Sequence, residues 1–166
     1  MYFDQQGFDI RCEWGREGIA QLLTESDVIV IVDVLSFSTC VDIAVANGAT
    51  IYPYAGSAES AVGFASSHDA LLAAHHREAT SGYSLAPSSL LTIPHGTRLV
   101  LPSPNGSTLS LMTQGKPTFA GCLRNAQAVA QAIQTCGKRL TIIPAGERWS
   151  DGTLRVAVED LIGAGA

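Results

Sequence analysis

The sequence predicts a three-layer α/β/α domain with a mostly parallel or mixed central sheet. Two observations carry that expectation. Short β-branched runs alternate with Ala-rich segments of helical spacing, and several of the runs end in small, polar or acidic residues that turn straight toward a helix. Nothing in the 166 residues looks like a linker, an internal repeat or a low-complexity tract, so residues 1–166 read as one domain.

The run Val28–Val32 is apolar throughout, which suits a strand covered on both faces. A helix is expected over Thr39–Ala46, stopped by Asn47-Gly48, and a second strand over Thr50–Tyr54. Ala70–Ala74 is a weaker strand candidate. From Arg77 to Gly96 the pattern breaks into Ser, Pro, Gly and Thr, which predicts a long loop or flap. Leu99–Leu101 is the next strand, Thr118–Ala120 a weaker one, and Leu140–Ile143 the last clear one. Between the latter two, Ala126, Val129, Ala130 and Ile133 recur at three- and four-residue steps, which predicts a helix over about 125–135 closed by Gly137. The segment from Val156 begins as an amphipathic helix and runs into small residues at Ala166.

Such alternation implies parallel strands joined by right-handed crossovers, with ligands gathering at the carboxyl ends of the strands. Four segments follow expected strands: Asp33 onward, Pro102–Thr108, Gly121–Asn125 and Pro144–Arg148. One face of one sheet is expected to collect all four.

Composition narrows the function classes. The chain is 46% hydrophobic and 15% charged, as a compact domain is, and its net charge of -5 comes with scattered Lys and Arg. Neither nucleic acid nor an anionic membrane is an expected partner. No apolar stretch reaches the roughly 18 residues of a membrane helix, and the N-terminus lacks a basic segment followed by a hydrophobic one, so a cytoplasmic location is expected. Cys12, Cys40, Cys122 and Cys136 show no CxxC spacing, which argues against a zinc site and for reduced thiols.

Asp33 is the first candidate for chemistry. A carboxylate at a strand exit, beside the hydroxyls of Ser36, Ser38 and Thr39, suits a hard cation and a phosphate, and magnesium is the natural choice. Capping the following helix is the competing role. Glu159 or Asp160 is expected to complete the metal shell; adjacent helical residues point about 100° apart, so only one of them is a direct ligand. Asn105, Gly106, Ser107 and Thr108 read as an amide and hydroxyl cradle for an oxyanion, or as no more than a tight turn. Arg124, beside Asn125, is expected to grip phosphate or sulfonate, with a surface ion pair as its alternative. Glu147 is the candidate for orienting a nucleophile. Arg148 and Arg155 lie where they can bind an acidic substrate or neutralise nearby carboxylates. His68, His75, His76 and His95 lack the HExxH spacing and read as structural or surface residues.

Known phosphate chemistries can be compared with the string. Leu35 stands where haloacid-dehalogenase-type phosphatases carry their second Asp, no cysteine precedes an arginine at the spacing of tyrosine phosphatases, and the Walker and dinucleotide glycine patterns are missing. Four stretches do resemble a family: Asp33–Thr39 with Ala46–Ala49, Pro104–Thr108, Gly121–Ala126, and Pro144–Arg148 through Glu159-Asp160. In order and spacing they are similar to the 2-phosphosulfolactate phosphatases, magnesium-dependent phosphohydrolases associated with coenzyme M biosynthesis. Many members have Arg-Ala where this chain has Ser36-Phe37, and the stretch Gly82–Pro87 only loosely resembles their Gly-Asn-Ser-Pro. Members also continue past the Glu-Asp pair, so this chain is expected to lack the family's C-terminal portion.

The resemblance implies hydrolysis of a small acidic phosphate monoester such as 2-phosphosulfolactate. Asp33 with Glu159 or Asp160 would hold magnesium, Ser38, Thr39, Asn105, Gly106, Ser107, Thr108 and Asn125 would line the substrate, and Arg124 and Glu147 would assist catalysis. Water is the preferred attacker, with Cys40 or a serine left open. Two other readings stand beside it: a relative that binds anions without turnover, and a structural domain that forms homo-oligomers through apolar surface.

Overall fold

The computed structural model describes residues 2–74 and 82–166. In chain order these form β1 (Ile10–Cys12), α1 (Gly15–Leu22), β2 (Val28–Val32), α2 (Phe37–Ala46), β3 (Thr50–Tyr54), α3 (Ala58–Ser67), β4 (Leu71–Leu72), β5 (Arg98–Pro102), α4 (Gly106–Leu111), β6 (Thr118–Gly121), α5 (Ala126–Ile133), β7 (Leu140–Pro144), β8 (Glu147–Arg148), β9 (Leu154–Arg155) and α6 (Val158–Gly165). The architecture is the expected three-layer α/β/α arrangement.

The strand layer is nevertheless divided. Parallel pairing joins strands in the order β1-β7-β2-β6 in one sheet and β3-β5-β4 in a second, while β8 and β9 make a small antiparallel hairpin. The expectation that one sheet carries all four strand exits is therefore corrected: Asp33 follows β2 of the first sheet and Pro102–Thr108 follows β5 of the second. An apolar run advertises that it will be a buried strand, but not which neighbour it pairs with. Two helices span the division. α2 packs on both β6 and β3, and α4 on both β3 and β2, which brings the two strand exits together without shared ladder bonds.

Strand β2 shows why both faces of the first sheet are covered. Side chains alternate along a strand, so Ile29 and Ile31 join Ile19 of α1, Leu109 of α4 and Ile143 on one side. Val30 and Val32 pack on the other side with Val129 and Ile133 of α5 and Ala164 of α6. The second sheet contributes Leu99 and Leu101 to a separate cluster around Phe37, Cys40 and Ile43 of α2.

Part of the expected flap belongs to that cluster. Leu85, Leu90 and Ile93 are buried against α2 and β5, so the described portion of the segment is anchored. His75 and His76 lie outside the described residues. His68 stacks on Phe64 and Tyr52, and the His95 ring occupies the space where a side chain on Gly48 would sit. Gly48 also has a left-handed backbone, so glycine is required where α2 ends. Cys40 and Cys122 are buried, as expected of small apolar groups, while Cys12 is exposed. None of the described helices is long and apolar enough to cross a membrane.

Ile31 is fully buried in the middle of the first sheet, so Ile31→Ala is expected to lower unfolding free energy by about 2–5 kcal/mol in a denaturant titration. A loss under about 1 kcal/mol would contradict this packing.

Candidate active site

The Asp33 side chain lies where the starts of two helices meet. It is buried. One carboxylate oxygen, Oδ1, accepts the Phe37 N–H of α2 at 3.3 Å, and the other, Oδ2, accepts the Gly106 N–H of α4 at 2.8 Å. The Ser103 hydroxyl approaches Oδ2 at 3.5 Å and itself accepts the Gly106 N–H at 3.1 Å. Unbonded amides at a helix start favour an anion, and here the anion is the protein's own. Glycine is needed at 106 because a Cβ there would stand 2.2 Å from Cδ1 of the Phe37 ring.

Asp33 opens onto a cleft of about 170 Å³ lined also by Ser36, Phe37, Leu85, Ser103, Asn105 and Glu147. Glu147 comes from β8, just past the exit of β7, and its Oε2 accepts a 2.9 Å hydrogen bond from Asn105 Nδ2. Two carboxylates from distant strand exits therefore border one small space, with hydroxyl and amide groups between them. The Ser36 hydroxyl donates to the Leu85 carbonyl, which fastens the middle loop to the rim of the cleft.

Asp160 sits behind this arrangement. Its Oδ1 accepts the Val34 N–H at 2.8 Å and its Oδ2 the Gly146 N–H at 2.9 Å. A single carboxylate on α6 thus ties together the residues next to Asp33 and Glu147. Burial pushes its pKa up to about 6; the charges of Asp33 and Glu159 add to the rise, and the two N–H donors oppose it.

Several residues expected at the site have other work. The Ser38 hydroxyl accepts the Asp33 N–H and donates to the Ile31 carbonyl, and the Thr39 hydroxyl donates to the Val34 carbonyl. Ser107 is fully buried and donates to the Leu101 carbonyl, while Thr108 donates to the Ser103 carbonyl at 3.4 Å. Asn125 closes its own turn by accepting the Cys122 N–H and donating to the Ala120 carbonyl. These side chains satisfy the backbone of the strand exits, as short polar residues commonly do. Arg124 pairs with Asp42 of α2 at 2.9 Å and is largely exposed. Cys40 is buried in the core around Phe37 and does not line the cleft. Glu159 is half-buried beside Asp160.

The expected metal ligands are not drawn together as a trio. Among the described residues no group of three His, Cys, Asp or Glu side chains is arranged to hold a metal ion. The cleft does offer the all-oxygen donor set that magnesium prefers, with Asp33 and Glu147 as carboxylates and room left for water and phosphate oxygens. Of the other lining residues, Ser36 was among the hydroxyls noted beside Asp33 and Ser103 lay within the Pro102–Thr108 stretch, whereas Leu85 gave no chemical signal.

A family model described as 2-phosphosulpholactate phosphatase matches residues 17–166. No curated protein matches the chain.

Two outcomes test this geometry. Gly106→Ala should cost about 1–3 kcal/mol of stability, read by thermal melting, because the added methyl has to displace the packed Phe37 ring. For Asp160 the native pKa of about 6 exceeds the ordinary 3.8 of an unfolded chain, so the native state binds more protons between those values. Unfolding free energy should then rise by up to about 2 kcal/mol as pH falls from about 7.5 to about 4.5, and Asp160→Asn should remove that rise in pH-dependent denaturation. Asp27 acts in the opposite sense. The Arg139 guanidinium and nearby N–H groups hold its carboxyl below the usual range, so its contribution is lost at still lower pH.

Proposed function

We propose, from the premise that this chain belongs to the 2-phosphosulpholactate phosphatase family, that it is a magnesium-dependent phosphatase acting on a small acidic phosphate monoester such as 2-phosphosulpholactate. The observation that carries this reading is the shared cleft of Asp33 and Glu147, two carboxylates with hydroxyl and amide groups between them.

In the reaction water adds to phosphorus, the ester P–O bond breaks, and the hydroxy acid and inorganic phosphate leave. Asp33 would hold magnesium together with water and substrate oxygens, and Glu147 would be its neighbour across the cleft. When bound, the cation supplies positive charge that offsets the negative charge of the phosphoryl oxygens.

The chain's own groups do the rest. Asp33 is fixed by the N–H groups of Phe37 and Gly106, so its orientation needs no rearrangement on binding. Asn105 aims the Glu147 carboxylate through one hydrogen bond, which leaves the remaining carboxylate lone pairs to take a proton from the attacking water. Ser103, whose hydroxyl is only loosely held at 3.5 Å from Asp33 Oδ2, would turn it to a phosphate oxygen, while Ser36 lines the wall with its hydroxyl kept on the Leu85 carbonyl. Leu85 and Phe37 are apolar parts of the lining. Arg124 would act at longer range, through the loop that it fastens to α2.

Phosphate release from 2-phosphosulpholactate with and without magnesium tests the reading. The parent should turn over only with the metal, and Asp33→Asn should lose at least about a hundredfold in kcat/KM, since it removes charge while preserving shape. Turnover that survives both chelation and Asp33→Asn would overturn it. A second reading, an anion-binding relative without catalysis, is favoured by Ser36-Phe37 standing where many family members carry Arg-Ala. A phosphate-induced rise in Tm with no phosphate release would establish that one instead.

A further inference from the structure

A second cavity, of about 420 Å³, adjoins the cleft and shares Ser103 and Pro104 with it. Its other walls come from four parts of the fold: Arg16 in the first turn of α1, Tyr54 at the end of β3, Thr108 of α4 and Arg148 of β8. No carboxylate is among the residues that line it.

These two arginines are the described ones that line this cavity together. Arg124 and Arg139 are paired with carboxylates, Arg11 is buried against backbone carbonyls, Arg98 donates to the Tyr52 hydroxyl, and Arg155 lies over the Trp149 ring. Arg148 donates to the Gly152 carbonyl and has no carboxylate partner among the described residues; Arg16 has none either. In a chain of net charge -5, two cations left over at one cavity, free of acid, create a local positive field. The Tyr54 side chain adds a hydroxyl, and Gly56 makes room for it: a Cβ at 56 would stand 2.4 Å from that oxygen.

We infer that this cavity receives the non-reacting anionic arm of the substrate, a carboxylate or sulfonate, with Arg16 and Arg148 as the residues that select for it. The inference rests on the phosphatase reading of the adjoining cleft. The cleft of about 170 Å³ takes the phosphoryl group, and the larger cavity beside it takes the part of the molecule that is not transferred. Guanidinium groups suit this task because their planar donors match the oxygens of carboxylate and sulfonate in bidentate fashion. Specificity is then separate from turnover: the arginines bind an arm that is unchanged in the reaction, and their effect falls on the choice of substrate.

The test compares two substrates, 2-phosphosulpholactate, whose arms are anionic, and phenyl phosphate, whose arm is neutral. In Arg16→Gln/Arg148→Gln, kcat/KM for the acidic substrate is expected to fall roughly ten- to hundredfold more than for phenyl phosphate, mostly through KM. Arg98→Gln controls for the loss of one positive charge elsewhere and should leave the ratio between substrates unchanged. Calorimetric binding of sulpholactate, which has no phosphate, is measured in parallel and should be lost in the double variant. A selectivity ratio that stays the same, or an equal fall on both substrates, overturns the inference. If the parent hydrolyses neither substrate, the phosphatase reading fails, and sulpholactate binding alone decides: binding that needs the two arginines upholds the cavity's role, while absent or arginine-independent binding overturns it.

Discussion

Among the described residues the two sheets of this protein share no ladder hydrogen bonds, and the Asp33 carboxylate links their strand exits. It leaves β2 of one sheet and accepts the N–H of Gly106, which follows β5 of the other. A buried carboxylate without partners is costly, so it must be met by donors, and the first amides of α2 and α4 have no intrahelical acceptor of their own. Each side resolves the other's deficit. Gly106 makes the meeting possible, because any side chain at that position would run into Phe37.

Asp160 repeats the device one layer away. It joins Val34 to Gly146 and so holds the exits of β2 and β7 in register from α6. Asp33 and Glu147 are the neighbours of those two residues, so their relative position is set by a carboxylate that lies behind the cleft. Both Asp33 and Asp160 turn each oxygen to an N–H group, and what separates them is that Asp33 also lines the cleft whereas Asp160 does not.

This division of labour gives the proposed chemistry its shape. A small cleft bounded by two carboxylates suits phosphoryl transfer, where catalysis is mostly positioning and charge stabilisation. A larger cavity adjoins it, with two arginines that have no carboxylate partner among the described residues. Between them lie Ser103 and Pro104, so one strand exit serves both spaces.

The sequence by itself determined the alternation of strands and helices, the burial of Val28–Val32 on both faces, and the position of Asp33, Asn105 and Glu147 just past strand ends. Those features follow from local pattern: periodicity, β-branching and the polarity of the residues that end a run. It could not separate the roles of these residues. Glu159 or Asp160 was expected to complete a metal shell, and the Asp160 carboxylate takes the N–H groups of Val34 and Gly146; Arg124 pairs with Asp42, and Ser38, Thr39, Ser107 and Asn125 bond nearby backbone. The same short polar side chains suit a ligand and a turn equally well, and only the three-dimensional position of the nearest free N–H or carbonyl chooses between them. Tertiary structure also decided the division of the strand layer and the gathering of Arg16, Tyr54 and Arg148, which lie far apart in the chain and meet only because α2 and α4 span both sheets. Strand partners are chosen by how whole elements pack, which is a property of the folded chain and is written in no single segment of it.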